Sequence, residues 1–171
     1  MDFANPGTFT LRDAYRFAAT NNSSQINVLA DSYKQFVIEP IFENSTGLRI
    51  YDTSFENGVF NLGSNKNLLS KFSDDIFSRN WSKKRIEILL NEEPGKEVFN
   101  FFRMSPFLIE MAHIRLINNV YPPVIIGDDN KILIKRSDKN HFIYSFNSPK
   151  YAGSLIPFFD KESSSPRKAF L

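Results

Sequence analysis

The sequence has no cysteine. That excludes a disulfide framework and any thiolate-held zinc centre. It has only seven glycines, with no G-x-G-x-x-G run and no GK[ST] loop. The backbone cradles that hold nucleotide phosphates in dinucleotide-binding and P-loop folds are therefore not encoded. No serine stands in a G-x-S-x-G setting, so a nucleophile elbow is absent too. No apolar stretch approaches the ~18–20 residues of a membrane span. The opening "MDFANPGTF" lacks the basic and apolar regions of a signal peptide. The expected setting is the cytoplasm, or a particle assembled there, with no membrane partner. Neither sign of charge dominates: 21 basic residues face 19 acidic ones, a net charge of +2. Such a balance exerts no strong overall pull on nucleic acid or a lipid surface.

Apolar residues make up 42% of the 171 positions and charged residues 23%, the composition of a folded chain. The length suits one domain with a substantial core. Eighteen phenylalanines against a single tryptophan supply large apolar area without a polar handle, suited to core or interface. Seventeen asparagines, together with many Phe, Ile and Lys, resemble coding from an AT-rich genome, for which a virus or phage particle is one setting.

Hydrophobic spacing predicts an α+β fold: an N-terminal helical half with an inserted β-hairpin, then a three-stranded antiparallel meander and an irregular C-terminal tail. Thr10 and Asp13 open a first helix that runs to about Thr20. Ile26, Leu29, Ala30, Tyr33, Phe36 and Val37 follow the 3-and-4 spacing of a second, ended by Pro40. The extended run from Gly47, the turn signal "ENG" at 56–58 and the run Val59–Phe60 read as a hairpin. Leu68, Leu69, Phe72, Ile76 and Phe77 give another helical face. Residues 82–91 fit either a helix or a strand, and Lys, Arg, Glu and Leu favour the helix. "KEVFNFFRM" reads as a short helical turn. "SPFLIEMAHIRLINN" reads as one helix capped by Ser105, with Pro106 at its first position. Beyond Pro122-Pro123, three β-type runs are separated by "GDDN" and "SDKN". Pro149, Gly153, Pro157 and Pro166 predict irregular structure after 147. The domain is set at 1–159, with 160–171 a tail that could dock elsewhere.

Candidate chemistry is sparse. Asp74–Asp75, Glu92–Glu93 and Asp128–Asp129 are paired acids, but neighbours on a helix diverge and aspartate is common in turns. His113 sits at the margin of an apolar face, and His141 begins a strand near Asp138. No metal, cofactor or small-molecule ligand is expected, and no enzymatic activity. Two surfaces carry functional expectations. The Phe-rich stretch supplies Phe99, Phe101, Phe102, Met104 and Phe107, and the polar tail "SSSPRKAFL" ends on Phe170 and Leu171. Together they suggest docking to protein subunits, as in a structural or assembly protein. Alternatively, Arg79, Lys83, Lys84 and Arg85 surround Trp81, the pairing of charge and stacking ring that binds single-stranded nucleic acid.

Overall fold

The computed structural model describes residues 27–56, 58–74, 85–136 and 140–170. One mixed sheet of eight strands organises them, in the order β1-β7-β6-β5-β2-β3-β4-β8. The strands are β1 (Asn27–Ala30), β2 (Gly47–Asp52), β3 (Arg85–Leu90), β4 (Ala112–Leu116), β5 (Val124–Gly127), β6 (Lys131–Lys135), β7 (His141–Ser145) and β8 (Lys168–Ala169). Helices α1 (Lys34–Glu43), α2 (Leu62–Asp74), α3 (Lys96–Met104), α4 (Pro106–Met111) and α5 (Pro149–Ser164) complete the described elements. The first helix expected from sequence, near Thr10 and Asp13, lies outside the described residues.

The centre is a parallel triplet. β2 pairs with β3 and β3 with β4, with Ile50 opposite Ile88 and Ile88 opposite Ile114. Parallel neighbours need long crossovers. Here α2 makes one and α3–α4 the other. Leu69, Phe72, Val98, Phe102, Leu108 and Met111 from these helices join Val37, Ile38, Ile41 and Phe42 of α1 in one core against the sheet. Among the described residues, the opposite face is covered by α5, through Ala152 and Phe159 against Tyr51, Leu89, Val124, Ile126 and Ile132.

The α+β expectation is therefore corrected, and each correction has a physical reason. β5, β6 and β7 do run antiparallel, but they belong to the eight-stranded mixed sheet and not to a small separate meander. Residues 82–91 favoured a helix, yet β3 is a strand paired on both edges and buried on both faces at Leu89 and Leu90. Such a strand reads as a nearly continuous apolar run and mimics helical spacing. The single helix expected from Ser105 stops at Met111. Ser105 does cap it, its Oγ accepting from Leu108 N at 3.4 Å. The chain then alternates Ala112, Ile114 and Leu116 inward with His113 and Arg115 on the other face, as β4. The expected helix over 26–37 is β1 followed by a short turn into α1, which continues past Pro40 to Glu43.

No hairpin follows β2. The buried Asp52 carboxylate takes the N–H of Thr53 at 2.8 Å and that of Phe60 at 2.9 Å. Captured in this way, the 53–61 loop folds back over the strand end, and Phe60 enters the core instead of a ladder. Gly58 lies so close that a Cβ there would sit 2.1 Å from the Asp52 carboxylate. Phe60 stacks on Phe42 at 5.3 Å between centroids, and Phe55 bridges Phe60 and Phe102. Much of the phenylalanine excess is thus internal.

The irregular C-terminal tail is also corrected. α5 has sixteen residues. Pro149 occupies its first turn, where a missing N–H costs nothing, and Gly153 faces open space. Pro157 lies inside the helix, which continues past it to Ser164, and Pro166 falls beyond the end. The following residues return to the sheet as β8, pairing with Arg115 and Leu116. Arg167 N donates to Leu116 O and Phe170 N to Ile114 O, both at 2.8 Å. The Phe170 ring rests 5.1 Å from that of Phe99. No described helix is long and apolar enough to cross a membrane.

Because Phe170 is half-buried, Phe170→Ala should cost about 1–2 kcal/mol, less than the ~3–5 kcal/mol of a fully buried ring. Urea unfolding reads this directly. An unchanged midpoint would show that the Phe99–Phe170 contact contributes nothing to the fold.

Candidate functional site

The face under α5 divides into two parts. Near the amino ends of β2 and β3 it is polar and open. Gly47, Arg49, Arg85, Glu87, Asp128 and Asp129 line a hollow of about 310 Å³. Arg49, Glu87 and His113 stand in register across β2, β3 and β4. Near the carboxyl ends the face is apolar. There α5 and the sheet leave a cleft of about 200 Å³ lined by Tyr51, Leu89, Tyr121, Val124, Ile126, Phe158 and others.

Within the polar part, Arg49, Asp128 and Asp129 are committed to internal pairs. Arg49 contacts Asp129 through Nη1 and lies 3.5 Å from Asp160 through Nε. It thereby ties β2 to the β5–β6 turn and to α5. In that turn Asp128 and Asp129 have φ of 48° and 60°, a left-handed pair that aspartate tolerates better than most residues. Asp128 Oδ1 accepts from Thr46 N, Thr46 Oγ1 and Gly47 N at 2.9–3.0 Å. Burial would raise its pKa, but these donors and Lys131 prevail and hold it below the ordinary carboxylate value. Asp52, on the helical face, goes the other way. Its desolvation outweighs the N–H groups of Phe60, Thr53 and Val59, and its pKa is raised.

The carboxyl ends of the triplet are stitched by neutral groups. Tyr51 Oη donates to Asn91 Oδ1 at 2.5 Å and accepts from Tyr121 N at 2.9 Å. Asn91 Nδ2 donates to the carbonyls of Ile117 and Asn119. Tyr121 Oη and Asn119 Nδ2 both donate to Glu162 Oε1, at 2.7 and 2.6 Å. Burial raises the pKa of Tyr51, and the bond to Glu162 raises that of Tyr121, so both phenols stay protonated. The bonds from Asn119 and Tyr121 lower that of Glu162.

The residues singled out from sequence fall in several places. Phe102 is buried in the core, and Phe101 meets it edge-on at 5.6 Å while Lys66 lies over the Phe101 ring. Phe99 and Phe107 are half-buried, and Met104 is 85% exposed. Phe170 joins Phe99, and Leu171 lies outside the described residues. Arg79, Trp81, Lys83 and Lys84 also lie outside them. Arg85 is exposed at the start of β3, on the rim of the polar hollow. His113 and His141 sit on β4 and β7, five strand spacings or about 24 Å apart, too far to act as one acid–base pair. Of the paired acids, Glu93 binds Lys168 at 3.1 Å and Asp75 lies outside the described residues. Among the described residues, no group of three potential ligands could hold a metal ion. Arg49, Tyr51, Asn91, Tyr121 and Glu162 were not singled out. They converge only through the sheet, and no local motif marks them.

Neither a protein-family model nor a curated protein matches the chain. Solved structures of similar fold include TrmBL2, an archaeal chromatin protein with a novel mode of DNA binding. It superposes with a TM-score of 0.57 at 12% identity, over 83% of this chain and 53% of that one. Nuc from Salmonella typhimurium, a phospholipase D family member, gives 0.55 at 12% identity, over 85% and 96%. Phosphatidylserine synthase from Haemophilus influenzae Rd KW20 gives 0.58 at 15% identity, over 85% and 39%. The chain thus spans about half of the chromatin protein and well under half of the synthase. At this identity the likeness is one of fold, a fold shared by enzymes and by a DNA-binding protein.

The two aspartates should titrate with opposite signs. A lowered folded pKa gives Asp128 a stabilising contribution that is present above about pH 3.9 and lost as pH falls through the folded value. A raised folded pKa makes Asp52 most favourable below about pH 3.9, with the benefit declining as pH rises through its folded value. Relative to Asp128→Asn, the wild type should gain stability with rising pH, reaching about 1–2 kcal/mol near neutrality. Relative to Asp52→Asn it should lose stability over the same range. Urea unfolding across acidic and neutral pH measures both slopes, and slopes of the same sign would contradict the assignment.

Proposed function

We propose that this chain is a non-catalytic recognition domain, a subunit or adaptor that docks to other macromolecules. The observation that carries the reading is the internal commitment of Arg49, Asp128 and Asp129. Where catalysis would need an acid, a base or an anion-holding cation, Arg49 is shared between Asp129 and Asp160, and Asp128 holds three donors and Lys131. The ends of β2, β3 and β4 are closed by Tyr51 and Asn91. Apolar groups meanwhile reach the surface at Met104 and Ile109 on the helical side. With Phe99, Phe101 and Phe107 half-exposed beside them, they are the best candidates for a protein contact. Neither the fold nor the similarities support a virus or phage setting in particular.

The test starts from the enzymes that share the fold. Purified protein is incubated with bis(p-nitrophenyl) phosphate beside a His113→Ala control. Equal, background-level hydrolysis is expected, and turnover that vanishes in the control would overturn the non-catalytic reading. Met104→Asp combined with Ile109→Asp should then abolish partner recovery, or lower the mass seen by light scattering, without shifting the unfolding midpoint.

A second reading is nucleic-acid binding through Arg79, Trp81, Lys83, Lys84 and Arg85. It is favoured by the exposed position of Arg85 and by the fold shared with a chromatin protein. If it holds, the triple change Lys83, Lys84 and Arg85→Ala should flatten the salt dependence of single-stranded DNA binding by about three contacts. An unchanged slope would remove this cluster from the interface.

A further inference from the structure

We propose that the cleft between α5 and the sheet is a binding site for a small amphipathic cation, an ammonium group on a compact apolar or aromatic body. This goes beyond the docking role and does not depend on it.

Three observations converge on that chemistry. The first is size and lining. The cleft holds about 200 Å³, where a dry apolar cavity of about 150 Å³ is enough for benzene. Its walls are aliphatic at Leu89, Val124, Ile126, Ile134 and Leu155. The second is the density of rings. Tyr51, Tyr121, Phe158 and Phe159 all face it, and the two tyrosines pack edge-on at 5.6 Å and 81°. Aromatic faces attract a desolvated cation through their quadrupole.

The third is charge. Glu162 is the single lining residue charged at neutral pH. Its Oε1 is held by two neutral donors, Asn119 Nδ2 and Tyr121 Oη, which orient the carboxylate without neutralising it. Oε2 takes no hydrogen bond from a described residue. An anion would meet Glu162 without a compensating cation in the lining. A neutral solute would fill the walls and leave Oε2 unused. An ammonium group satisfies both the carboxylate and the rings.

Titration of the full chain with 2-phenylethylamine and its neutral counterpart 2-phenylethanol, by calorimetry and amide chemical shifts, tests the assignment. The amine should bind at least about tenfold more tightly, the equivalent of one charge-assisted contact. Glu162→Gln keeps an acceptor for Asn119 and Tyr121 and should bring the amine down to the level of the alcohol. Leu155→Trp should fill the cleft and abolish both. Equal affinity for the two probes, an amine unaffected by Glu162→Gln, or binding of neither would overturn the proposal. So would self-association that Leu155→Trp disrupts, since the cleft would then be a contact surface. Thermal melts check that each variant folds, and if Leu155→Trp does not, Glu162→Gln decides alone.

Discussion

The constraint on which this fold depends is the pairing of β3 in parallel with both of its neighbours. Each parallel step requires a crossover, and both crossovers bring their helices to the same face, into the core that α1 also joins. Among the described residues, the opposite face has one helix. The sixteen residues of α5 reach only part of the eight strands, and the sheet is polar where the helix does not reach. Arg49, Glu87 and His113 lie near the amino ends, while Tyr51, Leu89 and Val124 meet α5 near the carboxyl ends. The polar hollow and the apolar cleft are two results of the same shortage of cover.

The ionisable groups then serve as ties between distant segments. Arg49 joins the centre of the sheet to a turn and to α5, while Asp128 clamps that turn to the start of β2. Asp52 performs the same task on the helical face under worse electrostatic terms. Its negative charge is buried with backbone donors, and Lys34 acts on it only through space. A buried carboxylate with so few compensations is costly, and it is tolerated because it determines where the 53–61 loop goes. Arg49, Asp128 and Asp52 thus have architectural duties.

Parts of this architecture were legible in the sequence because their signals are local. Ser105 followed by Pro106 marked a helix start, "GDDN" marked a turn, and the β-branched runs around it marked strands. The unread parts depend on partners remote in the chain. β3 looks helical until its neighbours are known, because a strand buried on both faces loses the alternation that betrays a strand, whereas the alternation of β4 spans only five residues and follows directly on a true helix. The fate of 53–61 depends on one carboxylate capturing two N–H groups. α5 hid behind Pro149 at its tolerant first turn, Pro166 beyond its end, and Pro157, which the helix carries in its interior against the local expectation. The cleft was illegible for the same reason: Tyr51, Asn91, Tyr121 and Glu162 are separated by up to 111 residues in the numbering (162 − 51) and meet only once the sheet has formed.

The return of residues 167–170 to the sheet has a consequence for the behaviour of the protein in company. β4 would otherwise present an open row of amides and carbonyls, flanked by Ile114 and Leu116, to any other strand in solution. β8 is only two residues long and carries a lysine, so the edge it creates is shorter than the five-residue β4 beside it. The segment acts as a guard against fibril-like edge pairing. A cut between α5 and β8 would free the edge of β4 for pairing with another strand.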